Sequence, residues 1–125
     1  MDLKRIYLDY IACLNSQDWL NLGKFVAPDV SHNTKPLGLS GYQEMLEKNF
    51  EDIPDLKFNV ELMMSEPPYL AARLRFDCSP KGSFLGLPIN GRHVSFHENV
   101  FYQFQDGKIV RVRSVLDKVA IEEQL

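Results

Sequence analysis

The spacing of apolar residues changes once along this chain, before its midpoint, and that change limits the folds the sequence can adopt. In the first part, apolar side chains such as Leu3, Ile6 and Tyr10 recur every three or four residues, which is the spacing of an amphipathic helix. In the second part, residues such as Phe58 and Val60 alternate with polar ones, which is the period of a β-strand. Helices followed by strands predict an α+β fold, with a sheet that covers the helices.

The same patterns indicate approximate element boundaries. An opening helix precedes a short helix that Asp18 can cap, and a third helix starts at the capping-box pair Ser40 and Gln43 and ends at Pro54. Between these last two helices, VSHNTKP is interpreted as a short, mostly polar extended stretch. About four antiparallel strands follow, and KVAIEEQL forms a terminal helix.

Length and charge restrict the domain count and the partners. A chain of 125 residues is predicted to form a single domain, residues 1–125. The net charge of −3 and the scattered Lys and Arg residues offer no basic surface for nucleic acid. No apolar run approaches the roughly 20 residues of a membrane span, and the charged N-terminal residues are unlike a signal peptide. We therefore expect a cytoplasmic protein with no membrane partner.

No metal or cofactor site is predicted. Cys13 and Cys78 are far apart and form no CxxC pair, so both are interpreted as core residues rather than as disulfide or zinc partners. His32, His93 and His97 lack the close spacing of metal ligands. The chain also has no glycine-rich phosphate loop and no nucleophile elbow. We expect neither a metal ion nor an organic cofactor.

The stretch HVSFHENVFYQF alternates like a strand but carries several polar side chains. Two turns are possible at the following QDGK, and each places a different set of these side chains beside the arginines of the last strand. With a two-residue turn, that set is Glu98 and Tyr102. With a three-residue loop and a bulge at Gly107, the set is His97, Asn99, Phe101 and Gln103.

We favour the bulged turn because it separates apolar from polar residues. It gathers on one face Val94, Phe96, Val100, Tyr102, Phe104, Val110, Val112 and Leu116. The polar set shares the other face and is expected to line a cavity, which leaves Glu98 as the misfit on the apolar face. Helices or a second subunit must cover the apolar face, so we expect a homodimer.

Two longer stretches, KGSFLGLPINGRHVSF and DGKIVRVRSVLDKVAIEEQL, resemble the SnoaL-like polyketide cyclase family, also labelled ester cyclases, of the nuclear transport factor 2-like superfamily. The shared features are a loop with Gly, Phe and Pro, a Gly-Arg pair before a strand, DGKI, and an Asp ahead of a final Gln-Leu. QDW followed by FVAPDVSHN resembles the front of the same pattern. The resemblance spans nearly the whole chain. It implies a cone with an internal pocket, formed by a curved antiparallel sheet wrapped around the N-terminal helices.

The resemblance also implies an activity. Characterised cyclases of the family use an Asp at the position of Asp117 as acid and base in an intramolecular aldol closure, without metal or organic cofactor. His97 is a second candidate base beside it. The candidate substrate-binding residues are His32, Asn33, Arg73, Asn99, Phe101, Gln103 and Arg113. Relatives commonly carry Trp at the position of Arg113, and the added guanidinium favours an anionic or enolate-bearing ligand.

Two functions follow from these observations. The first is a cofactor-independent cyclase or isomerase that acts by acid–base chemistry on a small hydrophobic or anionic carbonyl compound of the polyketide kind. The second is a noncatalytic small-molecule-binding domain of the same fold, in which Asp117 only caps the terminal helix or pairs with an arginine.

Overall fold

In the computed structural model, which describes residues 1–125, helices precede most of the sheet, as the change in periodicity predicts. The helices are α1 (Leu3–Asn15), a 3₁₀ helix (Trp19–Lys24), α2 (Gly38–Asp52) and α3 (Lys118–Glu122). The strands are β1 (Val26–His32), β2 (Asn59–Glu66), β3 (Tyr69–Cys78), β4 (Ser83–Phe84), β5 (Leu87–Pro88), β6 (Val94–Gln105) and β7 (Lys108–Leu116).

Five strands form one curved, open sheet in the order β1-β7-β6-β3-β2. The pairs β2–β3, β3–β6 and β6–β7 are antiparallel, whereas β1 runs parallel to β7 at the edge. The strands β4 and β5 form a separate small hairpin. The predicted α+β class, with a curved sheet wrapped around the N-terminal helices, is confirmed.

The helices cover one face of the sheet, which we call the inner face. Tyr7, Tyr10 and Leu14 on α1 are almost fully buried, as are Val100 and Tyr102 on β6. Burying a large apolar side chain stabilises the folded state by roughly 1.5–3 kcal/mol, so the contact between α1 and β6 contributes substantially to stability. Because the chain's own helices cover the inner face, that face needs no second subunit, and the homodimer stays a prediction.

Three local predictions are corrected by the structure. The Asp18 carboxylate does not cap the 3₁₀ helix but accepts a hydrogen bond of 2.7 Å from the Asn21 side chain. The helix α2 begins at Gly38, before the predicted capping box at Ser40, and no side chain caps its first turn. The front of the polar stretch VSHNTKP is extended as predicted, but it ends a strand of the main sheet, because the backbone from Val26 to His32 pairs with β7.

The turn between β6 and β7 combines features of both predicted alternatives. Gln105 pairs with Lys108, and Asp106 and Gly107 have φ angles of 51° and 76°, so the turn itself has two residues. The register then shifts, because Val110 is an extra residue on β7 between Ile109 and Arg111, which both pair with β6. The predicted bulge at Gly107 is wrong in position.

Even with the bulge at this position, the apolar and polar side chains of β6 and β7 lie on opposite faces, as the favoured alternative predicts. Phe101 lies opposite Arg113, and Gln103 lies opposite Arg111, on the face turned away from the helices. Ile109 takes the inner-face position that was predicted for Val110 and is fully buried. On β6 and β7 the inner face is therefore apolar apart from Glu98 and Ser114, and the outer face carries the polar set.

Candidate functional site

A cavity of about 440 Å³ lies between the inner face of the sheet and α2. Pockets of roughly 300–1,000 Å³ are typical of small-molecule sites, so the cavity is large enough for a small organic ligand. Most of its lining is apolar, and its polar lining includes Tyr10, His32, Tyr42, Asn49, Glu98 and Ser114. A few polar groups in an apolar cavity can orient a ligand and react with it.

Glu98 is the carboxyl group of this cavity. It lies in the middle of β6, opposite Leu74 of β3 and Leu116 of β7, so the sheet holds its backbone rigidly. Burial raises the pKa of Glu98 from 4.5 to about 7, and a hydrogen bond with the Ser114 side chain lowers it by a smaller amount. A carboxyl group with a pKa near neutrality exchanges protons readily in both directions, which acid–base catalysis requires.

Ser114 connects Glu98 with a histidine. The Ser114 hydroxyl lies 3.4 Å from Nε2 of His32, which ends β1 beside β7. Burial lowers the pKa of His32, and the positive charge of Lys35 lowers it further, so the imidazole is neutral near pH 7. Neutral His32 can therefore donate to or accept from the Ser114 hydroxyl without adding charge to the cavity.

Asn33 holds this corner in place. Its side-chain oxygen accepts a hydrogen bond of 2.8 Å from the Ser114 amide, and its side-chain nitrogen donates one of 3.2 Å to the Ser114 carbonyl. Asn33 has a φ of 46°, a left-handed conformation that asparagine tolerates better than most residues. The amide thus extends the pairing of β1 with β7 beyond His32 and fixes the position of Ser114.

Four buried tyrosines line or back the cavity. The hydroxyls of Tyr10 and Tyr42 lie 2.7 Å apart, and those of Tyr7 and Tyr102 lie 3.1 Å apart. Burial raises the pKa of each of the four, so all remain protonated near pH 7. A phenol has one proton to donate, so each pair uses one proton internally and keeps one for another acceptor. Since Tyr10, Tyr42 and Tyr102 line the cavity, a ligand carbonyl can be that acceptor.

Asp117 is not among the residues that line the cavity. Its side chain is exposed and accepts a hydrogen bond of 3.1 Å from the Ala120 amide, which makes it the N-cap of α3. The physical reason is local, because a strand that turns directly into a helix leaves amides that a carboxylate satisfies. The catalytic role predicted for Asp117 stays a prediction, and its geometry matches the capping alternative.

The other predicted polar residues occupy the outer face of the sheet, so the expectation that this face lines the cavity is corrected. Nε of Arg73 lies 3.1 Å from Oε2 of Glu61, and its Nη1 donates to Asn99 over 2.9 Å. Nε2 of His97 lies 3.0 Å from the same carboxylate oxygen of Glu61. Gln103 accepts a hydrogen bond of 2.9 Å from the guanidinium of Arg111. These side chains interact with one another across strands, and Arg73 and Asn99 border open hollows on the outer surface rather than the inner cavity.

Phe101 and Arg113 lie on the same outer face, and the structure leaves both exposed. Phe101 is 62% exposed and has apolar, exposed neighbours in Leu62, Met64 and Val115. Helices cover only the inner face, so side chains on the opposite side of the sheet face solvent. Of the predicted binding residues, His32 and Asn33 line the cavity.

Sequence reasoning did not assign a role to Glu98, Ser114 or the tyrosines. One signal was available, because Glu98 was the single carboxylate in a row of apolar residues on β6. An unpaired charge is costly to bury, so its presence on an apolar face indicates a function or a partner. The tyrosines gave no such signal, since they fit the apolar stripe of a helix equally well.

The structure shows no group of three or more His, Cys, Asp or Glu side chains arranged to hold a metal ion. None of its helices is long and apolar enough to cross a bilayer.

The chain is similar to several known proteins. The family model for SnoaL-like polyketide cyclases matches residues 4–125. A solved SnoaL-like polyketide cyclase from Agrobacterium tumefaciens is 56% identical with a TM-score of 0.98, over 99% of this chain and 98% of that one. The comparison with curated protein sequences found no match.

More distant solved structures share the fold. IdmH from Streptomyces antibioticus is 19% identical with a TM-score of 0.85, over 99% of this chain and 98% of that one. AclR from Streptomyces galilaeus is 24% identical with a TM-score of 0.78, over 98% of this chain and 94% of that one. The match to the family model covers nearly the whole sequence, and this chain therefore belongs to the SnoaL-like polyketide cyclase family.

Proposed function

We propose that this protein catalyses an acid–base cyclisation or isomerisation of a small carbonyl-containing, polyketide-like compound, with Glu98 as the group that moves the proton. One observation carries the proposal: a half-buried carboxyl with a pKa of about 7 faces a cavity of about 440 Å³. The family, which is named for polyketide cyclases, supports the general reaction class. The choice of Glu98 rests on the geometry of this chain alone.

In the proposed reaction, ionised Glu98 removes a proton from the carbon next to a ligand carbonyl. The resulting enolate is stabilised by a hydrogen bond to its oxygen, which the spare hydroxyl proton of the Tyr10 and Tyr42 pair can donate. The enolate carbon then attacks a second carbonyl of the same molecule and forms a carbon–carbon bond. Protonated Glu98 returns its proton to the new alkoxide, so the step balances and consumes no cofactor.

The neighbours of Glu98 influence its pKa and therefore its ability to take up and return a proton. Ser114 stabilises the ionised carboxylate through its hydrogen bond and so keeps the pKa of Glu98 from rising further. Neutral His32 lies behind Ser114 and adds no positive charge that would hold Glu98 permanently ionised. We propose that both residues position the carboxylate, while the tyrosine hydroxyls position the ligand.

The noncatalytic binding domain is the second candidate, and one observation favours it. Asp117, the acid and base implied by the family resemblance, caps α3 and lies outside the cavity lining. If no other group replaces it, the cavity can only bind. The two candidates therefore differ in whether Glu98 transfers protons to a bound carbonyl compound.

Hydrogen–deuterium exchange separates the two candidates. The probe is the heptanedione in which each carbonyl is next to a terminal methyl group. This diketone can also close to a six-membered ring. Proton NMR in heavy water follows the exchange of its α-hydrogens for deuterium. We expect wild-type protein to accelerate the exchange and Glu98→Gln to return it to the uncatalysed rate. Glu44→Gln is the matched control, since Glu44 is exposed on α2. Equal exchange by wild type and Glu98→Gln would contradict the proposal, and binding of the probe without exchange would favour the noncatalytic domain.

A further inference from the structure

A second, smaller cavity of about 70 Å³ lies beside the larger one. The two cavities share four lining side chains, Asn49, Phe58, Glu98 and Leu116. Glu98 therefore stands where the two cavities meet. A ligand that reaches Glu98 from the larger cavity can extend one substituent into the smaller one.

The smaller cavity is almost entirely apolar. Apart from the shared residues, it is lined by Ile53, Leu56, Phe76, Phe84 and Phe96. The rings of Phe76 and Phe96 stack with centroids 5.3 Å apart, and the rings of Phe84 and Phe96 lie 5.5 Å apart. Asn49 and Glu98 supply the only side-chain polar groups. Walls of this kind favour an apolar group over a polar one.

The size of this cavity limits the group it can accept. An apolar cavity of roughly 150 Å³ takes one benzene ring, so a cavity of about half that volume is too small for a ring. A straight or branched alkyl group of about three or four carbons is the largest group of this kind that fits. The aromatic walls are packed against the sheet and the β4–β5 hairpin, so they leave little room to expand.

The β4–β5 hairpin contributes one side chain to each cavity. Phe84 lines the smaller cavity, and the next residue, Leu85, lines the larger one. Leu85 has a φ of 53°, a left-handed conformation that a non-glycine residue adopts only at a cost in backbone strain. This conformation lets two consecutive side chains of one short hairpin border the two cavities.

We infer that the substrate is a carbonyl compound with a short saturated alkyl arm near its reactive carbon, and that the arm occupies the smaller cavity while the body of the molecule fills the larger one. This inference rests on the proposed function, since it uses Glu98 as the reacting group. Residues Leu56 and Phe84 set the length of the arm. The substrate class is thus narrowed to alkyl-substituted rather than aryl-substituted compounds at this position.

The probes for this inference are methyl ketones with straight alkyl arms from ethyl to hexyl, and benzylacetone as the ketone with a ring. Their dissociation constants are measured by NMR titration. In the wild-type protein we expect each added methylene to strengthen binding about fourfold, from about 0.8 kcal/mol per buried methylene, until the arm reaches about four carbons. Beyond that length binding stops improving, and benzylacetone binds less tightly than the butyl ketone.

Two variants change the cavity in opposite directions. Leu56→Trp fills the smaller cavity and should remove the increase in affinity with arm length. Phe84→Ala enlarges the cavity, so the tightest binding should move to longer arms and to the ketone with a ring. Leu62→Trp is the matched control, since Leu62 is 53% exposed on the outer face. Circular dichroism checks that each variant is folded.

The inference is overturned if Leu56→Trp and wild type show the same dependence on arm length, or if benzylacetone binds wild type as tightly as the butyl ketone. Glu98→Gln separates this result from the proposed function. Loss of the length dependence with Glu98-dependent exchange intact would reject only the alkyl cavity. A retained length dependence with exchange that does not need Glu98 would reject only the proposed chemistry.

Discussion

Replacing Glu98 by Gln removes a half-buried carboxyl whose ionisation destabilises the folded state as the pH rises. The folded protein holds the Glu98 proton up to about pH 7, whereas the carboxyl has an ordinary pKa of 4.5 when it is exposed. Between these values the folded state binds more protons than the unfolded state, so the free energy of unfolding falls as the pH rises. The contribution of protonated Glu98 to the free energy of unfolding is fully present below about pH 4.5 and is lost as the pH rises through about 7.

The size of this loss follows from the two pKa values. Each pH unit between them corresponds to 1.36 kcal/mol, so the interval from 4.5 to about 7 amounts to about 3 kcal/mol. That is a large fraction of the total stability of a small domain, which is about 5–15 kcal/mol. Glutamine cannot ionise, so Glu98→Gln should lose none of this amount and become the more stable protein at alkaline pH.

The assay is urea unfolding followed by the fluorescence of Trp19, which packs against Phe50 near α2. Wild type, Glu98→Gln and the exposed control Glu44→Gln are compared from about pH 5 to about pH 9. The difference between wild type and Glu98→Gln should grow by about 2.5 kcal/mol over this range, because part of the effect is already lost at pH 5, while the control stays parallel to wild type. Other titrating groups cancel in the difference. Parallel curves for wild type and Glu98→Gln would refute the buried, proton-holding carboxyl.

Three further substitutions test the account of the cavity. Ser114→Ala removes the hydrogen bond that lowers the pKa of Glu98, so the pH midpoint of α-hydrogen exchange in the ketone should move upward. A midpoint that stays or falls would contradict this role of Ser114. Asp117→Ala removes the cap of α3 and should lower the free energy of unfolding in urea by about 1 kcal/mol, while the α-hydrogen exchange continues. Loss of exchange in a folded variant would restore Asp117 as the acid–base group. Tyr42→Phe removes one hydroxyl of the Tyr10 pair and should lower kcat more than it raises KM. An unchanged kcat would reject Tyr42 as the donor to the enolate.

The sequence predicts the elements well because apolar periodicity reports which side of each element is buried. It places Val100 and Tyr102 on the inner face correctly, since apolar and polar residues must separate across a sheet that helices cover on one side. It does not locate the bulge, because Val110 differs in no way from its apolar neighbours in β7. The polar stretch before α2 likewise conceals its parallel pairing with β7, which depends on a partner strand far along the chain.

One expectation about the cavity, namely which face of the sheet lines it, was wrong. A face that carried His97, Asn99 and Gln103 was expected to line a cavity, but in an antiparallel sheet covered on one side such a face meets water. The cavity lies on the apolar face, where a single carboxylate, that of Glu98, is half-buried. The informative residue was therefore the one that broke the pattern, as a buried polar group usually is.

The most direct test of the account is the pKa of Glu98, measured by carboxyl-carbon NMR across a pH titration, with Glu98→Gln to assign the signal. We predict a value of about 7, because burial in the cavity destabilises the ionised form. Such a value would establish a carboxyl that can take and return a proton near neutral pH. A value at or below the ordinary 4.5 would show that Glu98 is solvated or paired with a cation, and would contradict its role as acid and base.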